Sequence, residues 1–499
     1  MNTIDLALTE LDINIVNLLG HDYAMEYEAL PINLKNRHLR VAIDHTRHDI
    51  PSLIRNLVDI THLYIVPVHA PADEIRFHIN RVYGEKAMSS LASQFVVDQQ
   101  LKLRTEELDS DTVKLISNAP AVRLLESVIS AGVLHRASDI HIEPHGHTLR
   151  TRYRIDGQLL THGTVDLSLL PNIISRLKVM AAMDIAEKRR PQDGHFTMVV
   201  SGERVDFRLS TLPTAFGEKA ALRLLFGSAA RLKKEDLGFL KEDLIKLNTL
   251  FSQPHGAIFM TGPTGSGKST TLNCFLESMD KEAKNIVTVE DPVENPIMGV
   301  NHVNVERSAG MDFAGALRHI LRQDPDVIMV GEIRDHETAS IAIRAAITGH
   351  VVLSTLHTND AAGVIERLID MGIEPYLATA ALTGIISQRL VRRICTECSR
   401  PTVLKESHAI MLDIPIDTIV YEGAGCVRCN ETGYKGRFAI YEYIILDEEK
   451  RKIINKKPSS FAEKQRKKKA LRNNAIRNLI LGNTTVEEVI NALGSGYDE

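Results

Sequence analysis

The chain has 499 residues, 44% of them hydrophobic, with 59 Lys and Arg against 64 Asp and Glu and a formal net charge of −5. That length suits two to four domains with packed cores, and the near balance of charge gives no overall pull toward nucleic acid. Five cysteines in so long a chain do not make a disulfide framework, no apolar run is long enough to span a bilayer, and Met1-Asn-Thr-Ile-Asp-Leu6 lacks a basic start and an apolar signal core, so a cytosolic protein is expected.

Residues 1–95 read as a small α/β domain, with strands at Leu39–Asp44 and Leu63–Val68 and helical spacing at Ile50–Ile60 and Ala72–Tyr83. No catalytic cluster stands out there, and a docking or regulatory role fits best. Residues 96–118 are polar and acidic (Glu106-Glu-Leu-Asp-Ser-Asp111) and read as a linker. A second domain is expected at 119–232, opening with a helix at Ala121–Leu134 and continuing with strands at Ala137–Pro144 and Leu149–Gly157, where Asp156-Gly157 marks a hairpin. Arg204–Arg208 and Ala221–Leu225 follow as strands, with Arg208 and Arg223 on the polar side of a period-2 pattern. A single strand arginine is more often a solvated surface residue than a functional one. His141 alone reads as structural.

From residue 233 strands and helices alternate, the pattern of a parallel sheet. Gly262-Pro-Thr-Gly-Ser-Gly-Lys-Ser269 fits G-x-x-x-x-G-K-[ST], and it lies between the apolar run Gly256–Thr261 and the helical run Thr270–Glu277. In that setting the backbone from Gly262 through Pro263, Thr264, Gly265, Ser266 and Gly267 to Thr270 cradles phosphates, Lys268 reaches the β- and γ-phosphates of ATP, and Ser269 ligates Mg²⁺. Three more apolar strands end in polar groups: Asn285–Asp291 in Glu290 and Asp291 with Glu294 behind, Asp326–Glu332 in Gly331-Glu332, and Val351–His357 in Ser354, Thr355 and His357. Ligands bind beyond the carboxyl ends of strands in open parallel sheets, so all three clusters belong on the phosphate-loop side. Phosphoryl transfer needs positioning and neutralised charge. Glu332 suits the attacking water or the Mg²⁺ shell, Glu290, Asp291 and Glu294 suit water or metal, and His357 with Thr355 suits a γ-phosphate sensor; which of Glu290, Glu294 and Glu332 is the base stays open.

Cys395-Thr-Glu-Cys398 and Cys426-Val-Arg-Cys429 form two C-x-x-C knuckles, and four thiolates make a closed, structural zinc site. Cys274, in the helix after the phosphate loop, reads as a core residue. The basic stretches Lys450-Arg-Lys452 and Arg466-Lys-Lys-Lys469 read as solvated helix faces, before amphipathic Ala475–Leu481 and Thr485–Leu493.

Together these motifs resemble the secretion ATPase family, the hexameric motors of type II secretion and type IV pilus biogenesis, from about residue 119 onward. The family's aspartate box matches Asn285–Glu294, its Walker B motif Leu321–Asp335, its histidine box Thr348–Asn359, and its second-domain signature Ala137–Glu143 with Pro191-Gln-Asp-Gly194. The resemblance implies an α/β fold: a RecA-like P-loop NTPase motor domain at 233–499 that includes a zinc module at 392–437, preceded by a PAS-like second domain and a small N-terminal docking domain. It implies that Arg208 and Arg223, with Arg318 and Arg322 before Walker B, complete the nucleotide site. It also implies a homo-hexamer at the cytoplasmic face of the bacterial inner membrane, held there by a platform protein and, through the N-terminal domain, a bitopic anchor, with no nucleic-acid partner. The tetracysteine insertion is similar to that of secretion and pilus-extension motors and is absent from retraction motors. Two features depart from the pattern or complicate it: Lys219 stands where the family often has arginine, and Ala475-Ile-Arg-Asn-Leu-Ile480 resembles a retraction-motor motif. A nucleic-acid translocase on the same core and a non-catalytic nucleotide-regulated scaffold are the rival readings. The balanced charge and the absence of tryptophan speak against the first, and the intact Lys268, Glu332 and His357 against the second.

Overall fold

The computed structural model describes residues 13–16, 18–44, 49–72, 74–76, 78–79, 110–200, 202–226, 232–306 and 310–494, with residues 4, 6 and 11 singly. The chain divides into two compact units, residues 1–227 and 228–499.

The first unit begins with a three-stranded sheet: β1 (Ala29–Lys35) and β2 (His38–Ile43) antiparallel, and β3 (Tyr64–His69) parallel to β2. The parallel step needs a crossover, which the helix Ile50–Thr61 supplies, burying Leu53 and Leu57 one turn apart with Leu39, Val41 and Ile43 of β2. The end of the helical pattern expected at Ala72–Tyr83 lies outside the described residues.

The helix Ser110–Leu134 starts inside the stretch 96–118 expected to be linker. From Ala121 on, the helix buries Leu124, Leu125, Val128 and Ile129. It is followed by a wholly antiparallel sheet of six strands: β4 (Asp139–His145), β5 (Thr148–Ile155), β6 (Gln158–Asp166), β7 (Gln192–Val200), β8 (Glu203–Thr214) and β9 (Gly217–Phe226), in the order β6-β5-β4-β9-β8-β7. Asp156 (φ 48°) and Gly157 (φ 90°) make the expected β5–β6 hairpin, both left-handed as a two-residue turn requires. Along β8, Val205, Phe207, Leu209 and Thr211 are buried while Asp206, Arg208 and Ser210 take the other face. The strand register sets Arg208 directly opposite Arg223.

The second unit is built on a seven-stranded sheet, β12-β11-β13-β14-β10-β15-β18, comprising β10 (Gly256–Thr261), β11 (Ile286–Glu290), β12 (Asn301–Asn304), β13 (Val327–Val330), β14 (Val351–Leu356), β15 (Leu382–Ile394) and β18 (Tyr434–Ile445). All neighbours are parallel except β15 and β18, which pair antiparallel. The strands β10, β11, β13 and β14 are buried at every position, because apolar clusters cover both faces. Ala257 and Phe259 join one cluster and Ile258 and Met260 the other, the period-2 alternation of a strand covered on both sides. Beyond β15 the chain forms the short hairpin β16 (Ser399–Val403) and β17 (Ile419–Gly423) before returning along β18. The helices Ala470–Ile480 and Val486–Leu493 close over β15 and β18 through Leu471, Leu479, Val489 and Leu493.

Candidate active site and metal centre

The sheet order determines the site. Strands β13, β14 and β10 are consecutive neighbours, so Glu332 after β13, His357 after β14 and the phosphate loop after β10 fall side by side at one carboxyl edge. Glu290, at the end of β11, is next in the row, and the Gly331 N–H donates to Val289 O at 2.8 Å. The two turns lie so close that a Cβ on Gly331 would stand 3.5 Å from the Glu290 Cα.

The loop itself is held from beneath. Thr261 Oγ1 lies 3.1 Å from Leu356 O and 2.9 Å from Thr358 O, tying the end of β10 to the end of β14. Gln388 of β15, fully buried, donates from Nε2 to Ser266 O at 2.7 Å and accepts from Thr271 Oγ1 at 3.0 Å. Gly262 (φ 140°) and Gly267 (φ 85°) are required here both by backbone angle and by space: a Cβ on Gly262 would stand 2.3 Å from Gln388 O, and one on Gly267 3.0 Å from Gln388 Nε2. Gln388 was missed in the sequence; a glutamine inside an apolar strand was the signal, since its amide must find partners.

Lys268 is 8% exposed, and its Nζ donates to Gly262 O at 2.8 Å and Pro263 O at 3.1 Å. Burial lowers its pKa, and the nearby Glu332 carboxylate opposes that shift. Ser269 and Thr270 are exposed in the first helical turn, where a phosphate-bound cation would find the Ser269 hydroxyl. Glu332 sits between two partners: Arg334 Nη2 at 2.6 Å from Oε1 and His357 Nε2 at 3.5 Å from Oε2. Arg334, within the Walker B match, is a contact of Glu332 that the sequence alone does not single out.

Thr355 is buried, and its hydroxyl donates to Gly331 O at 2.7 Å, so it braces the Glu332 turn rather than presenting itself to a γ-phosphate. Asp291 and Glu294 are exposed beyond β11, whereas Glu290 is buried and bonded to Thr288 and His302. Arg318 pairs with Glu337 at the start of the helix His336–Ile347, and Arg322 Nη2 lies 2.8 Å from His319 Nδ1. Arg208 and Arg223 belong to the first unit. Arg223 Nε lies 3.1 Å from Asp139 Oδ1, with its side chain 61% exposed. Lys219 pairs with Glu143 Oε1 at 2.8 Å while Arg152 Nε reaches Oε2 at 2.7 Å.

The four knuckle cysteines converge. Their Sγ atoms lie within 4.8 Å of one another, with Cys395–Cys426 and Cys398–Cys429 at 3.8 Å and Cys426–Cys429 at 3.7 Å. These separations are far beyond a disulfide bond. They match the roughly 3.8 Å edge of a tetrahedron whose centre is about 2.3 Å from each sulfur. Burial works against ionisation of Cys429, but N–H donors from Cys426 and Gly433, each 3.2 Å from its sulfur, outweigh it and bring its pKa below the ordinary thiol value. The donor set fits a metal ion bound by four thiolates. Cys274 is buried in the core, as expected.

Phosphate loop, Lys268, exposed Ser269 and an acidic rim on a parallel sheet are the parts of a P-loop ATPase. The family model described as Type II/IV secretion system protein matches residues 114–491, and the MshEN domain model matches residues 1–89. The chain belongs to the type II/IV secretion system protein family and is an ATPase. It is 40% identical to the type IV pilus assembly ATPase PilB of Myxococcus xanthus over 98% of this chain and 88% of that one. It is 44% identical to type II secretion system protein E of Dickeya dadantii over 75% of this chain and 76% of that one. Among solved structures, the pilus retraction motor PilT with bound ADP superposes with a TM-score of 0.52 at 27% identity, covering 75% of this chain and 98% of that one. Among the described residues no helix is long and apolar enough to cross a membrane.

Proposed function

We propose that this chain hydrolyses ATP to power assembly of a type IV pilus or a type II secretion pseudopilus, working as a homo-hexamer on the cytoplasmic face of the inner membrane. The observation that carries the reading is the row of Lys268, His357 and Glu332 at the ends of three neighbouring strands, with Arg334 paired to one Glu332 oxygen and His357 within 3.5 Å of the other. Lys268 clamps the β- and γ-phosphates, Ser269 holds Mg²⁺, Glu332 orients the attacking water, and His357, on the strand end between Glu332 and the phosphate loop, reports on the γ-phosphate. Glu290 supports the same water from the adjacent strand end. The bound Mg²⁺ supplies charge neutralisation at the transferring phosphoryl group. Assembly is favoured over retraction because the relatives near 40–44% identity are named for pilus assembly and secretion, while the retraction motor stands at 27%.

The remaining parts take supporting roles. Residues 119–232 act as a PAS-like second domain that contributes Arg208 and Arg223 to a nucleotide, and residues 1–95 dock a platform protein and a bitopic membrane anchor. The four-cysteine module binds zinc. The test is direct: Lys268→Ala abolishes turnover, while Glu332→Gln binds ATP and hydrolyses it at least ~100-fold more slowly. Wild-type turnover by Glu332→Gln removes that residue from the hydrolytic step.

A further inference from the structure

Thr288 and Glu290 share one face of β11, two residues apart, and the parallel register sets His302 of β12 opposite Thr288. Three atoms close a triangle: Thr288 Oγ1 lies 2.7 Å from Glu290 Oε1, His302 Nδ1 lies 2.9 Å from the same oxygen, and Thr288 Oγ1 and Nδ1 are 2.8 Å apart. The Glu290 and His302 side chains are only 12% and 9% exposed. On the other edge of the ring, the backbone N–H of Ile297 donates to His302 Nε2 at 2.8 Å. A backbone N–H can only donate, so Nε2 is the ring nitrogen without a proton. The ring proton is therefore on Nδ1, directed at Glu290 and Thr288. A main-chain group thus fixes the histidine as a neutral donor, and the contact with Glu290 is a hydrogen bond rather than an ion pair. Both bonds fall on Oε1, and Oε2 has no hydrogen-bond partner among the described residues.

The geometry points to His302 as a positioning residue for ATP hydrolysis: it anchors Glu290 by Oε1 and so reserves Oε2 for the attacking water or a water of the Mg²⁺ shell. This rests on the catalytic reading of Glu290 given above. A carboxylate at the end of a strand can otherwise rotate about its side-chain torsions, and orientation of this kind is worth orders of magnitude in rate. The segment Asp291–Val300, which leaves β11 and returns to β12, supplies the Ile297 N–H, so the same loop that follows Glu290 in the chain locks the side chain that holds it.

Steady-state hydrolysis by the full chain, with kcat and KM for ATP measured separately, tests the assignment. His302→Ala lowers kcat ~10–100-fold, as loss of an orienting partner does, and leaves KM within about twofold. His302→Asn, whose amide offers an N–H where Nδ1 stood, recovers most of that loss. In a Glu290→Gln background, His302→Ala costs nothing further, because the group it positions is already disabled. Wild-type kcat in His302→Ala, an equal loss in both backgrounds, or an asparagine variant no better than alanine overturns the proposal. Should His302→Ala not fold, Thr288→Val removes the other donor to Oε1 and must show the same dependence on Glu290; equal losses with and without Glu290 overturn it there too. If Glu290→Gln itself turns over at the wild-type rate, the catalytic reading of Glu290 falls and the proposal with it. If Glu290→Gln is slow and His302→Ala is not, the proposal alone falls.

Discussion

Gln388 and Ser266 are joined by a 2.7 Å hydrogen bond that fastens the phosphate loop to β15 from below. The same amide accepts from Thr271 Oγ1, one helical turn beyond the loop, so a single buried side chain grips both sides of the bend. Strand β15 continues to Arg392, whose guanidinium holds Glu488 at 2.8 Å, and to Ile394, immediately before Cys395. Gln388→Leu strands two buried polar groups at about 1–3 kcal/mol each. We expect it to weaken ATP affinity by tenfold or more in a titration with a fluorescent nucleotide analogue, with a smaller effect from Gln388→Glu, which keeps an acceptor for Thr271. Unchanged affinity in the folded leucine variant would show that the loop holds its shape without this clamp.

The cysteine module is expected to carry one zinc per chain, bound by Cys395, Cys398, Cys426 and Cys429. Elemental analysis of freshly purified protein not exposed to chelator should find one equivalent. Each Cys→Ser change should lower the melting temperature and release the metal, while nucleotide affinity of the folded fraction stays near wild type, since the cysteines lie in the insertion between β15 and β18, well past Ser387, the β15 residue that pairs with Thr261 at the foot of the phosphate loop. A metal-free native protein removes the site.

Glu143 provides a pH test of the second domain. Burial acts to raise its pKa, but the hydrogen bond from Arg152 and the contact with Lys219 dominate and bring it to about 2 from an ordinary 4.5. A carboxylate with a depressed folded-state pKa stabilises the fold above its ordinary value, and that contribution is lost as pH falls from near 4.5 toward 2. Glu143→Gln should therefore destabilise the protein at pH 7 by about 2–3 kcal/mol, reduced somewhat because the partners are partly solvated. The gap from wild type should narrow steadily below pH 4.5. A gap that does not change between neutral and acid pH would show that the charge of Glu143 contributes nothing.

The legible parts of this protein were those whose chemistry is local in sequence. The phosphate loop, the two knuckles and the apolar strands β10, β11, β13 and β14 each declare themselves within a dozen residues, because strands covered on both faces read as unbroken apolar runs. Strands β6 and β7 did not, since their residues alternate between part-buried and exposed with few fully buried positions to mark a face. The partners that shape the site were hidden for a different reason. Gln388 lies 122 residues from Ser266, and His302 meets Glu290 only through the register of two parallel strands. Thr355 was visible as a polar residue at a strand end, but its hydroxyl is turned to Gly331 O, a choice fixed by the neighbouring strand rather than by its own sequence.

Arg208 and Arg223 are expected to act on ATP from outside the phosphate-loop core. They stand opposite each other on β8 and β9, and Arg223 is tethered to Asp139 through Nε while its side chain stays 61% exposed. An arginine brought to the transferring phosphoryl group stabilises its charge and can be worth ~10³-fold or more in rate. If neighbouring subunits complete each other's sites, activity per chain rises steeply with protein concentration, or on fusion to a hexamer-forming partner. Arg208→Ala and Arg223→Ala then cut kcat while nucleotide affinity changes much less, because the interaction forms mainly in the transition state. Mixing Arg223→Ala chains with Lys268→Ala chains separates the two arrangements: sites built across subunits recover part of the activity in mixed rings, while sites complete within one chain recover none. Equal activity in dilute monomer and assembled ring removes the need for assembly, and wild-type turnover in both arginine variants returns these residues to the solvated face of the sheet.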